Sequence, residues 1–160
     1  MAEFEASPEI ASDDGRQSAR ALEIARGTCR LLAHYGMRAI FELPLANGRR
    51  ADLIAAGEDG SIWIVEIKSS LEDFRVDQKW PEYRDYSDRL FFAVSLDFPR
   101  GVLPADTGLI IADRYGGELV REAPEHKLPA ARRKAVLIRF ARAAASRLMT
   151  IADPERAFES

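Results

Sequence analysis

The run Ile62-Trp-Ile-Val-Glu-Ile-Lys68 constrains this chain most, because it is a β-forming segment that is apolar on both faces until its last residues. Side chains alternate along a strand, so Trp63, Val65 and Ile67 share one face while Glu66 and Lys68 share the other. An acid and an amine two residues apart are, on their own, an ordinary exposed face. Here they close a strand that otherwise reads as buried, where charge is costly unless partnered.

The preceding segments supply candidate partners. Ala39–Leu45 and Arg50–Ala56 read as two further strands, and the intervening tripeptides Ala46-Asn47-Gly48 and Glu58-Asp59-Gly60 both end in glycine, as three-residue hairpin loops with a left-handed last residue prefer. Facing residues of a hairpin share a side of the sheet and their numbers have a constant sum. With Gly60 left-handed, Asp52 faces Glu66. With Gly48 left-handed, Glu42 faces Asp52, and three carboxylates cross neighbouring strands in one row. A two-residue Asn47-Gly48 loop would instead send Glu42 to the opposite face. Carboxylates so aligned repel one another, but they suit a hard divalent cation, which takes oxygen ligands and keeps several waters.

The remaining pattern predicts an α/β fold. A helix runs from Ser18 to Gly36, with Leu22, Ala25, Cys29 and Leu32 inward and Ile24, Thr28, Leu31 and Tyr35 widening the face. After the three-strand antiparallel meander, a polar segment leads to a helix from about Lys79, with Pro81 in its first turn. Leu90–Leu96 then returns as a parallel crossover strand. Gly108–Asp113 and Glu118–Arg121 read as a last hairpin. Residues 130–149 read as a helix with Ala131, Ala135, Ile138, Ala141, Ala145 and Leu148 on its apolar stripe, and Arg132, Arg133, Lys134, Arg139, Arg142 and Arg147 mostly as a solvated face, with nucleic-acid binding as the alternative. One domain is expected over 17–150, with a flexible tail at 1–16, rich in Glu, Asp, Ser and Ala, and a second tail at 151–160.

Several function classes fall away. The single cysteine, Cys29, sits on the apolar side of its helix, and His34 and His126 lack zinc-ligand spacing. A formal net charge of −3 argues against coating nucleic acid nonspecifically. No apolar run is long enough for a membrane span, and the acidic start MAEFEASPEIASDDG lacks a secretory pattern, so a cytoplasmic location is expected.

Arg50-Ala-Asp52, a short hairpin and Val65-Glu-Ile-Lys68 resemble the D…(D/E)xK signature of PD-(D/E)xK, restriction-endonuclease-like nucleases. From Ala25 to Ala143, through GRRADLIAAGEDGSIWIVEIKSSLEDFRVDQKWPEYRDYSDRLFFAV, the chain resembles the MmcB-like DNA repair proteins of bacteria. The resemblance implies a restriction-endonuclease-like core, a mixed sheet flanked by helices. It also implies a Mg²⁺-dependent DNA endonuclease acting in repair, with Mn²⁺ as a substitute. Asp52, Glu66 and the Ile67 carbonyl would hold the metal, and Lys68 would orient the attacking water. Such enzymes often add a further acid, for which Glu42 is the first choice and Glu23 the reserve, although Glu23 can instead pair with Arg26 or Arg30. The Q-x-x-x-Y pattern common after E-x-K is not kept at Gln78; Lys79 and Tyr83 have that spacing. Arg49, Arg50 and Lys79 are the phosphate-binding candidates, while Trp80 and Tyr83 read as packing residues, with base stacking as the alternative. A catalytically silent module binding nucleic acid or a partner, an RNA-directed nuclease and a homodimer remain open.

Overall fold

Glycine-ended turns and period-two runs between them fix most of the architecture seen in this computed structural model, which describes residues 18–155. Ser18 caps helix α1 (Ala19–His34) by accepting the Ala21 N–H at 3.2 Å. Strands β1 (Arg38–Pro44), β2 (Arg50–Ala56) and β3 (Ile62–Ile67) follow as an antiparallel meander. Gly48 (φ 83°) and Gly60 (φ 84°) adopt the left-handed conformation that the three-residue loops require. A crossover made of helix α2 (Leu71–Val76) and a 3-10 segment (Trp80–Tyr86) leads to β4 (Arg89–Val94). Strands β5 (Gly108–Ala112) and β6 (Gly117–Arg121) and helix α3 (Ala130–Ala152) complete the order. The sheet is open, six-stranded and mixed, with β3, β4 and β5 mutually parallel and the other pairings antiparallel.

Two apolar layers cover the sheet. Leu53, Ala55, Val65, Ile67, Phe91 and Ala93 pack beneath Ile24, Ala25, Leu31 and Leu32 of α1. Ile54, Ile62, Ile64 and Leu90 pack on the other side against Tyr83 and against Val136, Leu137 and Phe140 of α3.

Four expectations are corrected. Helix α1 turns Leu22 (39% exposed) and Tyr35 (51%) outward and buries Ala21 and Gly27 instead. Gly27 explains the rotation: a Cβ there would lie 1.8 Å from the Asp113 carbonyl oxygen, so the helix presses its glycine on the β5–β6 turn. The helix expected from Lys79 is a short α2 followed by a 3-10 segment. Strand β4 ends at Val94, leaving Leu96 exposed. Helix α3 buries Val136, flanked by half-buried Arg133, Leu137 and Phe140, whereas Ile138 (50%) and Leu148 (65%) of the expected stripe are exposed. Arg133 takes an inward position on that face, donating to Asp88 at 2.5 and 2.6 Å. The expected tail at 1–16, and residues 156–160 of the second, lie outside the described residues, and α3 continues to Ala152.

Candidate active site

The β2–β3 register pairs Leu53 with Val65, so the next facing pair is Asp52 with Glu66, as the Gly60 loop requires. At that point the backbone ladder gives way to side chains. Asp52 Oδ2 accepts the Ile67 N–H at 2.8 Å, and Glu66 Oε1 accepts the Asp52 N–H at 3.1 Å. Each carboxylate thus satisfies a backbone donor on or beside the other's strand, and the two acids face each other across β2 and β3. Glu66 is only 3% exposed. Burial, then the charge of Asp52, pushes its carboxyl well above the ordinary range, against the opposing pull of Lys68. Burial also raises Asp52, with the Ile67 N–H working the other way.

Lys68 follows β3 directly and is itself buried. Its ammonium donates to Asp77 Oδ2 at 2.6 Å, while Asp77 Oδ1 accepts the N–H groups of Lys79 (2.9 Å) and Trp80 (3.1 Å). Asp77 therefore fixes both the lysine and the turn into the 3-10 segment. From that segment the buried Tyr83 donates its hydroxyl to the Arg50 carbonyl at 2.8 Å, tying the start of β2 to the crossover. Burial raises the Tyr83 phenol, as do Glu66, Asp52 and Asp77. Trp80 packs edge-on against Phe92 with Arg84 over its ring, a packing role rather than an open stacking platform.

The other candidates are placed unevenly. Glu42 faces Asp52 in the β1–β2 register, between the pairs Phe41–Leu53 and Leu43–Ala51. Its backbone is left-handed (φ 51°), which a glutamate adopts only under constraint. Its carbonyl accepts from Arg147 at 2.9 Å, and among the described residues its carboxylate enters no ion pair. The twist is felt on both strands: Ile40 with Leu43, and Ala51 with Ile54, join one apolar layer although strict alternation would separate them. Glu23 is exposed on α1, across the sheet from the acids. Arg49 is held by Glu82 at 2.8 Å. Arg50 and Lys79 are exposed without an ion pair among the described residues. Cys29 is a packed thiol, pushed up to about 11 by burial.

Asp77 was missed by the sequence reading, although an acid two or three residues before a Trp-Pro helical start is a recognisable capping pattern. Together Asp52, Glu66 and Asp77 set three carboxylates against one ammonium. No group of three or more His, Cys, Asp or Glu side chains among the described residues is arranged to ligate a metal ion, so the side-chain ligands on offer are Asp52 and Glu66. A half-buried and a buried carboxylate facing each other across two strands, with surplus negative charge and oxygen donors only, fit a hard divalent cation such as Mg²⁺ that retains much of its water.

A family profile described as DNA repair protein MmcB-like matches residues 8–155. No curated protein matches the chain. Among solved structures, the SPO1766 protein of unknown function from Silicibacter pomeroyi is similar, at 43% identity and TM-score 0.85, over 89% of this chain and 98% of that one. Among the described residues no helix is long and apolar enough to cross a membrane.

Proposed function

The chain belongs to the MmcB-like DNA repair family, which suggests a DNA repair role and interaction with DNA, and on that premise we propose that it is a Mg²⁺-dependent endodeoxyribonuclease of the PD-(D/E)xK type. The observation that carries this reading is the facing pair of half-buried Asp52 and buried Glu66 beside an ammonium anchored by a third acid. Such a concentration of charge has a high desolvation cost and little structural use that neutral residues could not fill. Asp52 and Glu66, with the Ile67 carbonyl, would hold the ion. When bound, it would supply Lewis-acid polarisation of a phosphoryl oxygen and a more acidic water.

The protein's own groups do the rest. The Ile67 and Asp52 N–H groups fix one oxygen of each carboxylate, so the second oxygen of each would be the one offered to the ion. Asp77 holds the Lys68 ammonium at one position, from which it orients the nucleophilic water and offsets charge growing on the phosphate. Burial excludes bulk water and strengthens each of these interactions.

The decisive assay incubates the protein with Mg²⁺ or Mn²⁺ and single-stranded, duplex, flapped and branched DNA. Asp52→Asn is expected to lower cleavage by at least about 10³-fold and Lys68→Ala by about 10²-fold. Cleavage that survives Asp52→Asn defeats the proposal. One observation favours the alternative of a silent DNA- or partner-binding module: Lys68 is already engaged by Asp77. Wild-type binding to DNA without metal-dependent cleavage of any substrate would establish that alternative.

A further inference from the structure

Helix α3 carries six basic residues and no acidic one, in a chain whose formal net charge is −3. Its basic side chains do not share one role. Arg133 is the inward partner of Asp88, and Arg147 reaches back to the carbonyls of Phe41 and Glu42. Arg132 stacks on Tyr86 and donates to the Asp85 carbonyl at 2.9 Å. Arg139, seven residues on and hence on the same flank of the helix, lies over the end of β1, with a long 3.4 Å contact to the Pro44 carbonyl. Arg142 is three residues further, exposed, and without an ion pair among the described residues.

This flank leads toward the site. Pro44 pairs with Arg50, the Arg50 carbonyl receives Tyr83, and Arg50 lies two residues before Asp52. Arg50 is exposed and Arg49 stands beside it. Arg139 therefore lies at the level of the Pro44–Arg50 pair, at the end of the β1–β2 hairpin and close in the chain to Asp52.

We infer that Arg139 and Arg142 of α3, continued by Arg50, form a rail for the phosphate backbone of DNA that enters the Asp52–Glu66 site. The inference rests on the proposed site for its end point and adds the path by which a long substrate reaches it. Nucleic acid is the occupant that the pattern fits: guanidinium groups without acidic neighbours on their own helix match a repeating phosphodiester.

Binding is measured by fluorescence anisotropy in EDTA, so that cleavage does not enter, with labelled 30-nucleotide single-stranded and duplex DNA across a salt series. The double variant Arg139→Glu/Arg142→Glu should bind at least tenfold more weakly and show a salt slope reduced by about two. Arg114→Glu, in the β5–β6 turn at the far edge of the sheet, reproduces the charge reversal of one rail position away from the rail and should bind like wild type. Asp52→Asn should bind DNA and fail only to cut it. Far-ultraviolet circular dichroism and melting temperature check that each variant is folded. Wild-type protein that binds neither DNA, a folded double variant within twofold of wild type, or an equal loss in the Arg114 variant overturns the rail. So does a double variant that loses binding to anionic phosphatidylglycerol vesicles while keeping DNA. Rail-dependent binding by a protein that cuts nothing sustains the rail and defeats the nuclease reading alone.

Discussion

Removing the carboxylate of Asp88 should unfasten α3 from the sheet at a cost that can be worked from its contacts. Its side chain is 5% exposed and accepts four hydrogen bonds: two from Arg133 at 2.5 and 2.6 Å, the Ile62 N–H at 2.7 Å and the Leu128 N–H at 2.9 Å. Asp88→Ala leaves two buried backbone donors without partners, each worth about 1–3 kcal/mol. Arg133 retains the Gly60 carbonyl at 3.0 Å and is 21% exposed, so water recovers part of its loss. The total is about 3–5 kcal/mol, in line with breaking other buried ion pairs. For a domain of this size that is a fall in Tm of about 10 °C. Burial opposes the charge on Asp88, but Arg133 and the two N–H groups outweigh it and hold the carboxyl below its ordinary value. A depressed carboxyl contributes stability above its unfolded pKa, of about 3.9, which is lost as pH falls through the folded value. Denaturant melts of wild type and Asp88→Ala should therefore differ by the full amount at pH 7, and the difference should begin to shrink as pH falls below about 4. A difference under about 1 kcal/mol at pH 7, or one that stays constant into acid, refutes the reasoning.

Three further outcomes are expected. Asp52 and Glu66 both have raised carboxyl values, so the stability they give below the ordinary carboxylate range is lost as pH rises toward the folded values. At pH 8 in EDTA, Asp52→Asn should melt above wild type, and Mg²⁺ at about ten times its Kd should raise only the wild-type Tm, by about 1.4 kcal/mol, or roughly 4 °C; equal gains would remove Asp52 from any metal site. Asp77→Asn should reduce cleavage about tenfold with little change in KM, because the residue positions Lys68 and the crossover without touching substrate; single-turnover kinetics decide it. Gly27→Ala should cost about 3 kcal/mol, since its methyl would meet the Asp113 carbonyl oxygen, and a melt unchanged within 1 kcal/mol would mean that the helix moves freely.

The strands and the register of the acids were readable because both depend on local rules: alternation, and glycines where loops need a positive φ. Asp52 opposite Glu66 follows from Gly60 alone. The helix faces were less readable for reasons specific to their residues. In α3 the inward position belongs to an arginine, which hydropathy counts as outward, and alanines on several sides blur the stripe. In α1 the contact surface is set by the absence of a side chain at Gly27, a feature with no hydrophobic signature. Asp77 lies nine residues beyond Lys68 across an aperiodic stretch, so its meeting with the ammonium depends on the path of the crossover. Glu42 falls opposite Asp52 in register, yet register does not set φ, and the left-handed backbone there carries no local sequence signal.

The position of the candidate site follows from where the sheet changes pairing. Strand β3 runs antiparallel to β2 and parallel to β4, so its C-terminal end meets the beginning of β2 on one side. The crossover must also leave from that end. Glu66 lies next to the end of β3, Asp52 near the start of β2, and Asp77 and Tyr83 in the crossover, so three separate stretches of chain converge at one place. Open sheets with parallel strands generally bind ligands beyond the strands' carboxyl ends. Here the ladder stops one pair early, and the two carboxylates take over its last hydrogen bonds. The same donors that secure the split end of the sheet therefore orient the acids. An alanine at Asp52 or Glu66 would confound stability with chemistry, whereas Asp52→Asn can keep the Ile67 hydrogen bond while removing the charge. For that reason the charge-removing variant, rather than the truncation, separates a strand-end brace from a metal site.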